Sequence, residues 1–385
     1  MTSSLPSFPS PAKLAEWLSR LVQIPSVTPE QAGPRAGVAG EAAIANALAG
    51  WFADLGGEVH TDEILSGRPN IYAIWRGRSE RWLGVDIHTD TVSVEQMTDP
   101  PFDGRIADGR VYGRGAVDTK ATLGVVLALL EAMQRAGVQP AANLLIAATV
   151  DEEVGTRGAP GFADWLGARR LLLDELVVGE PTLCTPVHGH KGVVRLEFTT
   201  HGLATHSSQP HLGKNAILAA ARVSLALEAE HNRLQSAAEN PLGASQLTVS
   251  LIRGGAGINV VPEACSLSLD RRLNAGEDPL AVTAYLIDLA ERASSLPVTT
   301  TIGLQIPAFY QPADSGLVTR MAEWSGHAPV VAPYGTNAWA YADVAKERLV
   351  LGPGSVDQAH GAVEWVEIDQ LAKLADIYAR WWGLR

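Results

Sequence analysis

Apolar residues fall at Leu14, Trp17, Leu18, Leu21 and Val22, the spacing of one helical face, and Pro25 closes the run. A second helix is expected from about Glu41 to Leu55. Beyond it the pattern changes. Short, nearly continuous apolar runs, RPNIYAIW, RWLGVDIH, NLLIAATV and ELVVGEP, alternate with helical stretches, the clearest of them KATLGVVLALLEAMQRAG. Apolar strands separated by helices predict a largely parallel sheet covered on both faces, so the first half reads as α/β.

The middle of the chain follows another rule. GVVRLEFTTHG, SQLTVSLIRGG, EACSLSLDRRL and PVTTTIGLQI read as strands, with helices at GKNAILAAARVSLALEAE and DPLAVTAYLIDLAERA. In ACSLSLD, Cys265, Leu267 and Leu269 point one way and Ser266, Ser268 and Asp270 the other, as in a sheet with one wet face. The order β-α-β-β-α-β is that of a split βαβ, ferredoxin-like α+β domain. The simplest organisation inserts this domain, over 190–304, into an α/β domain built from 1–189 and 305–385, with RLVLGPG as a strand of the returning segment.

Composition narrows the function classes. A chain of 385 residues, 46% hydrophobic, can bury a full core, and its length suggests two or three domains at roughly 150 residues each. The formal charge of −12 and the absence of any basic stripe argue against nucleic acid as a partner. Cys184 and Cys265 form no disulfide framework or zinc-finger spacing, which fits a reducing cytoplasm. The N-terminal segment lacks the basic and apolar regions of a leader, and no run approaches a membrane span. A cytoplasmic protein without a membrane partner is therefore expected, with a frayed Pro/Ser-rich start over the first ten residues.

Ligands of open α/β folds gather at the carboxyl ends of strands, so polar residues just after apolar runs are where chemistry is expected. His88 and Asp90 follow WLGVDI; Asp118 lies in VYGRGAVDTK; Asp151, Glu152 and Glu153 follow LLIAATV; Glu180 follows LVVG; His360 follows LVLGPGSVDQA. Singly, each has an ordinary explanation as a solvated strand-end residue or a helix N-terminus. Together they would crowd carboxylates that repel and raise one another's pKa, and a cation accounts for such a cluster better. Imidazole and carboxylate donors suit zinc.

HTD, YGRGAVD.K, DEEVGT, VVGEPT, THSSQP, GGAGINVVPE to DRR, and GPGSVDQAH occur in this order along nearly the whole chain. In them the sequence resembles the dinuclear-zinc metallopeptidases and amidohydrolases that include acetylornithine deacetylase, succinyl-diaminopimelate desuccinylase, aminoacylase and glutamate carboxypeptidase. The deacetylase branch is the nearer likeness, because Gln-Ala-His is followed by an acidic residue. The resemblance implies a zinc-peptidase catalytic domain with the inserted domain serving as dimerisation and lid domain. It implies two Zn2+ per subunit, with Co2+ or Mn2+ possible, one held by His88, Asp118 and Glu180 and the other by Asp118, Glu153 and His360. Asp90 would orient His88, and Glu152 would take a proton from the attacking water and return it to the leaving amine. His206 would reach the partner subunit's site to stabilise the oxyanion, which implies a homodimer. Arg272 and Asn259 would hold the carboxylate of an N-acyl amino acid or short peptide, and strand alternation lets only one of Arg271 and Arg272 face that site.

Thr119 and Ala121 depart from the methionine and glycine common in the family, without touching the ligand positions. Tyr334, Thr336, Asn337 and Trp339 in PYGTNAWAYAD are expected to line the substrate side-chain pocket. GRGAVD lacks the last glycine of a dinucleotide loop, and LGKN lacks the glycine spacing and Ser/Thr of a phosphate loop. The expected reaction is N-acetyl-L-ornithine-type deacetylation. Desuccinylase, general aminoacylase and dipeptidase or carboxypeptidase activities are the alternatives within the family, and a non-catalytic binding protein retaining the fold is the alternative outside it.

Overall fold

Ser10 accepts the N–H of Lys13 and Pro11 fills the first turn, so α1 (Pro11–Val22) begins where the apolar spacing begins. The structure, a computed structural model, describes residues 9–236 and 240–385; the start of the segment expected to fray, residues 1–8, lies outside them. After α1 come α2 (Ala42–Asp54), β1 (Glu58–Leu65), β2 (Arg68–Trp75), β3 (Trp82–His88), α3 (Lys120–Ala136), β4 (Asn143–Thr149), α4 (Gly158–Ala168) and β5 (Leu173–Val178). The middle carries β6 (Gly192–His201), α5 (Ala216–Gln235), β7 (Gln246–Gly254), β8 (Ala264–Leu273), α6 (Pro279–Ala293) and β9 (Val298–Ile306). The chain closes with α7 (Gly316–Ser325), β10 (Ala345–Val350) and α8 (Ile368–Trp381), only strands of six residues or more being numbered.

Two units emerge. The first comprises Met1–His188, Gln311–Val330 and Thr336–Arg385, and the second Gly189–Tyr310 and Val331–Gly335.

In the first unit the numbered strands of the sheet run β1-β2-β4-β3-β5-β10. β3 is parallel to β4 and β5, and β5 is parallel to β10, which gives the α/β centre read from the apolar runs. The edge differs from that reading. β2 is antiparallel to both β1 and β4, and the tight turn at Ser66 and Gly67 that joins it to β1 is too short for a parallel crossover between those two. β1 itself, EVHTDEIL, carries polar residues along an exposed edge and leaves no apolar run to find. Behind the sheet α3 is buried along most of its length and packs on α1 and α8, so its apolar residues join those of the strands in one core.

In the second unit the sheet order β7-β8-β6-β9 is antiparallel throughout. Cys265, Leu267 and Leu269 of β8 are buried under α5 and α6 with Leu196, Phe198, Val223 and Leu286, while Ser266, Ser268 and Asp270 lie on the open face. This is the split βαβ pattern expected from the alternation. Among the described residues no helix is long and apolar enough to cross a membrane.

Candidate active site

Four parallel strands deliver their carboxyl ends to one edge of the first unit's sheet. His88 ends β3, the segment Asp151–Glu153 follows β4, Glu180 follows β5, and the segment leading to His360 follows β10. Asp118 comes to the same edge just before α3, with the Asp118–Thr119 peptide cis. The loop after β10 passes Glu180 so closely that a Cβ on Gly352 would lie 2.3 Å from the Glu180 carbonyl oxygen, so no larger residue fits there.

Asp118 is the centre of the resulting cluster. Its Oδ1 lies 3.0 Å from His88 Nε2, and its Oδ2 lies 3.3 Å from His360 Nε2. Glu180 Oε2 is 4.0 Å from the His88 nitrogen, and Glu153 Oε1 is 3.1 Å from that of His360. Each imidazole thus faces a different oxygen of one carboxylate and has a second carboxylate beside it. His88, Asp118 and Glu153 offer ligand atoms all within 4.8 Å of one another. His88, Asp118 and Glu180 are buried, Glu152 and Glu153 half-buried, and the His360 side chain is 52% exposed.

Charge sharing marks the cluster. Burial opposes protonation of His88, but contact with Asp118 and Asp90 and the field of Glu180 outweigh it and hold the imidazole well above its usual value. His360, beside Asp118 and Glu153 and only partly opposed by burial, is raised to about 10. Asp118 is held below the ordinary carboxylate range: burial would raise it, but the two imidazoles prevail. Burial, reinforced by Asp118, raises Glu153; burial also carries Glu180 well above normal, with Asp118, Glu152 and Glu153 adding to it against His88. Glu152 is pushed to about 8, by burial first, then by the carboxylates Glu153, Asp90 and Asp118 against the opposing charge of His88. Carboxylates that resist ionising beside imidazoles that retain protons are a donor set suited to divalent cations.

The supporting contacts differ in part from expectation. The near partner of His88 Nδ1 is the backbone oxygen of Asp90, at 3.0 Å, while the Asp90 carboxylate lies 3.6 Å away. That carboxylate accepts the N–H groups of Glu152 at 3.1 Å and Glu153 at 3.0 Å, and so holds the loop carrying both residues. The preceding N–H, of Asp151, goes to Glu41 at 3.2 Å. Arg68 forms a fork with Glu41 (2.6 and 2.8 Å) and reaches Asp151 at 3.0 Å, and Arg157 holds Asp151 from the other side. Glu41 and Arg68 gave no local signal in the sequence, since each lies in an ordinary helix start or strand. Glu364, with its carboxylate on the N–H groups of Val117 and Asp118, shows in the sequence only as the acidic residue after Gln-Ala-His.

The residues of PYGTNAWAYAD expected to line a pocket differ in exposure. Thr336 and Asn337 are buried, because the 3₁₀ turn Asn337–Tyr341 docks through the Tyr341 hydroxyl on Asp86 at 2.6 Å and through Asn337 Nδ2, 3.3 Å from Thr149 Oγ1. Trp339 is half-buried, and Tyr334 falls in the second unit.

His206, Asn259 and Arg272 all lie in the second unit. His206 pairs with Val260 in a short antiparallel ladder, and the Asn259 carbonyl accepts the N–H of Ser207 at 2.9 Å, so these two exposed residues occupy neighbouring segments. Arg271 is buried on Glu277, whereas Arg272 is half-exposed and pairs with Asp270 at 2.7 Å.

Residues 84–383 match Peptidase family M20/M25/M40. The chain belongs to that family. It is 34% identical to an acetylornithine deacetylase of Aliivibrio salmonicida, over 85% of this chain and 87% of the relative. It is 29% identical to a succinyl-diaminopimelate desuccinylase of Paracoccus denitrificans, over 97% of each. The aminopeptidase PepT of Bacillus cereus has the same fold, with a TM-score of 0.78 at 18% identity over 98% of this chain and 99% of that one. The protein is therefore a hydrolase of the metallopeptidase and amidohydrolase class, with a His/Asp/Glu cluster able to hold a metal.

Proposed function

We propose that the protein hydrolyses the amide bond of N-acyl amino acids, N-acetyl-L-ornithine foremost, at a dinuclear centre. His88, Asp118 and Glu180 would hold one ion, and Asp118, Glu153 and His360 the other. The observation that carries this reading is the bridging geometry of Asp118, whose two oxygens face two different imidazoles. Zinc suits these nitrogen and oxygen donors, and cobalt or manganese would fit the same positions. When bound, such ions polarise an amide carbonyl and lower the pKa of water.

The chain's own groups then divide the work. Glu152, its loop held by Asp90, takes the proton from the attacking water and gives it to the leaving amine. Its pKa of about 8 would fall toward neutrality beside added positive charge, into the range where one group can accept and return a proton. His206 supplies a donor to the oxyanion in the partner subunit's site. Arg272, whose planar guanidinium suits a carboxylate, and Asn259 orient the substrate.

A homodimer through the second unit accords with its surface. Leu251 and Ile252 on the edge strand β7, and Leu218 and Leu225 on α5, are about half exposed or more.

The acetylornithine deacetylase relative supports the choice of acyl amino acid, and the desuccinylase relative, matched over nearly its whole length, keeps N-succinyl-diaminopimelate as the second substrate to try. Amine release from both compounds, other N-acetyl amino acids and dipeptides, by zinc-loaded and chelated protein, tests the reading. Metal-dependent preference for N-acetylornithine supports it; preference for another amide keeps the chemistry and changes the substrate; silence across the panel with two ions bound refutes it.

A further inference from the structure

His360 is the most exposed member of the cluster, sits on no strand, and has a backbone φ of 60°, yet its ring must stay beside Asp118, 242 positions earlier in the chain. We propose that Arg114 and Glu364 form a positioning pair that fixes the bridging carboxylate Asp118 relative to His360. Both residues are almost fully buried, 2% and 1% exposed.

One pair of side chains ties three segments. Glu364 Oε1 accepts two consecutive backbone N–H groups, Val117 at 3.0 Å and Asp118 at 3.3 Å, and Oε2 accepts Arg114 Nη1 at 2.5 Å. Arg114 donates to the Ser93 carbonyl through Nε (3.2 Å) and Nη2 (2.8 Å), just beyond Asp90, and to the Gly361 carbonyl at 3.4 Å, next to His360. The Glu364 carbonyl in turn receives the N–H of Gly113 at 3.0 Å, and a short ladder pairs Trp365 with Tyr112. The segments carrying Asp118 and His360 therefore cannot separate without breaking charge-assisted bonds inside the protein, where such bonds are strongest.

A buried ion pair whose only task is stability can often be replaced by apolar residues of similar volume without loss. This pair does something an apolar pair cannot: it receives the N–H of the bridging residue itself. Asp90 does the same for Glu152 and Glu153, so both carboxylate-bearing loops are gripped from below in one manner.

The inference rests on the dinuclear reading, and metal binding rather than turnover tests it. Unaltered protein, Arg114→Lys, and the double variant Arg114→Leu/Glu364→Leu are each freed of metal and titrated with Zn2+, with bound equivalents and thermal midpoints recorded. Unaltered protein should take two equivalents. The double variant should keep the first and bind the second roughly 10- to 100-fold more weakly, the usual range for lost second-layer support of ligands. Arg114→Lys, which leaves the Glu364 carboxylate and its N–H bonds in place, should weaken the second equivalent less. Two equivalents bound as in unaltered protein by a folded double variant, or both weakened equally, would overturn the pair's role. Should the double variant not fold, Glu364→Gln replaces it; this keeps an acceptor for the two N–H groups but puts an amide donor against the Arg114 guanidinium, and an unchanged second equivalent there shows that the Arg114–Glu364 pairing does not position Asp118. Fewer than two equivalents in unaltered protein would instead overturn the dinuclear reading, and this role with it.

Discussion

His88 and Asp118 in the first unit are buried, and the N–H groups of Asp151, Glu152 and Glu153 all end on buried carboxylates; His206 and Asn259 in the second unit are exposed and lean on neighbouring short segments. The contrast follows from what each set must do. Like charges packed within a few ångströms repel, so their loops need strong restraint to stay in register before any ligand arrives. On the proposed reading His206 and Asn259 meet substrate only when it binds, and such groups can remain in water until then.

Several changes would sharpen or break this contrast. The largest effect belongs to Asp118, which serves both halves of the cluster: Asp118→Ala should empty both ion positions and leave only background hydrolysis, read by metal content and amine release. One retained ion with normal turnover would contradict its bridging role. Next comes His206→Ala, expected to lower kcat by about 10²- to 10³-fold with metal content unchanged, as for the loss of one oxyanion donor. Mixing His206→Ala with Glu152→Ala subunits should restore part of the activity through hybrid dimers carrying one intact composite site. No recovery after verified subunit exchange would place His206 outside the partner's site.

Metal affinity should rise with pH by about tenfold per unit for each proton displaced. The sign follows from the raised values. At pH 7 His360, at about 10, and Glu152, at about 8, hold protons that a cation expels, so binding strengthens as the pH climbs. The gain should shrink above about pH 8, where Glu152 has already lost its proton. Calorimetric titration with zinc in buffers of different ionisation enthalpy reads the release directly, and binding without proton release would contradict it. The smallest change is Arg272→Lys, which keeps the charge and loses the fork; KM should rise roughly tenfold or less, with kcat nearly unchanged. A fall in kcat with constant KM would move Arg272 from substrate holding to the chemical step.

Much of this frame can be read along the chain, because apolar runs and strand-end carboxylates are local patterns. β3, β4 and β5 announce themselves as continuous apolar strands; His88 closes the first, and Glu153 and Glu180 follow the other two within a few residues. What escaped the sequence depends on contacts between distant segments. Arg68 and Glu41 are 27 positions apart, and Glu364 reaches back 246 to the N–H of Asp118; no spacing rule connects such partners. β1 was lost for the opposite reason, since an exposed edge strand has no apolar face to display. The anchor of the PYGTNAWAYAD turn is of the same long-range kind, since Tyr341 docks it on the buried Asp86, 255 positions earlier.

Adjacent carboxylates with different duties are the central claim, and Glu152→Ala against Glu153→Ala tests it most directly. Metal content and turnover on one substrate would be measured for both. The account predicts that Glu152→Ala keeps two ions while losing about 10²- to 10⁴-fold in kcat, and that Glu153→Ala loses metal together with activity. Normal turnover in Glu152→Ala, or full metal content in Glu153→Ala, would contradict it.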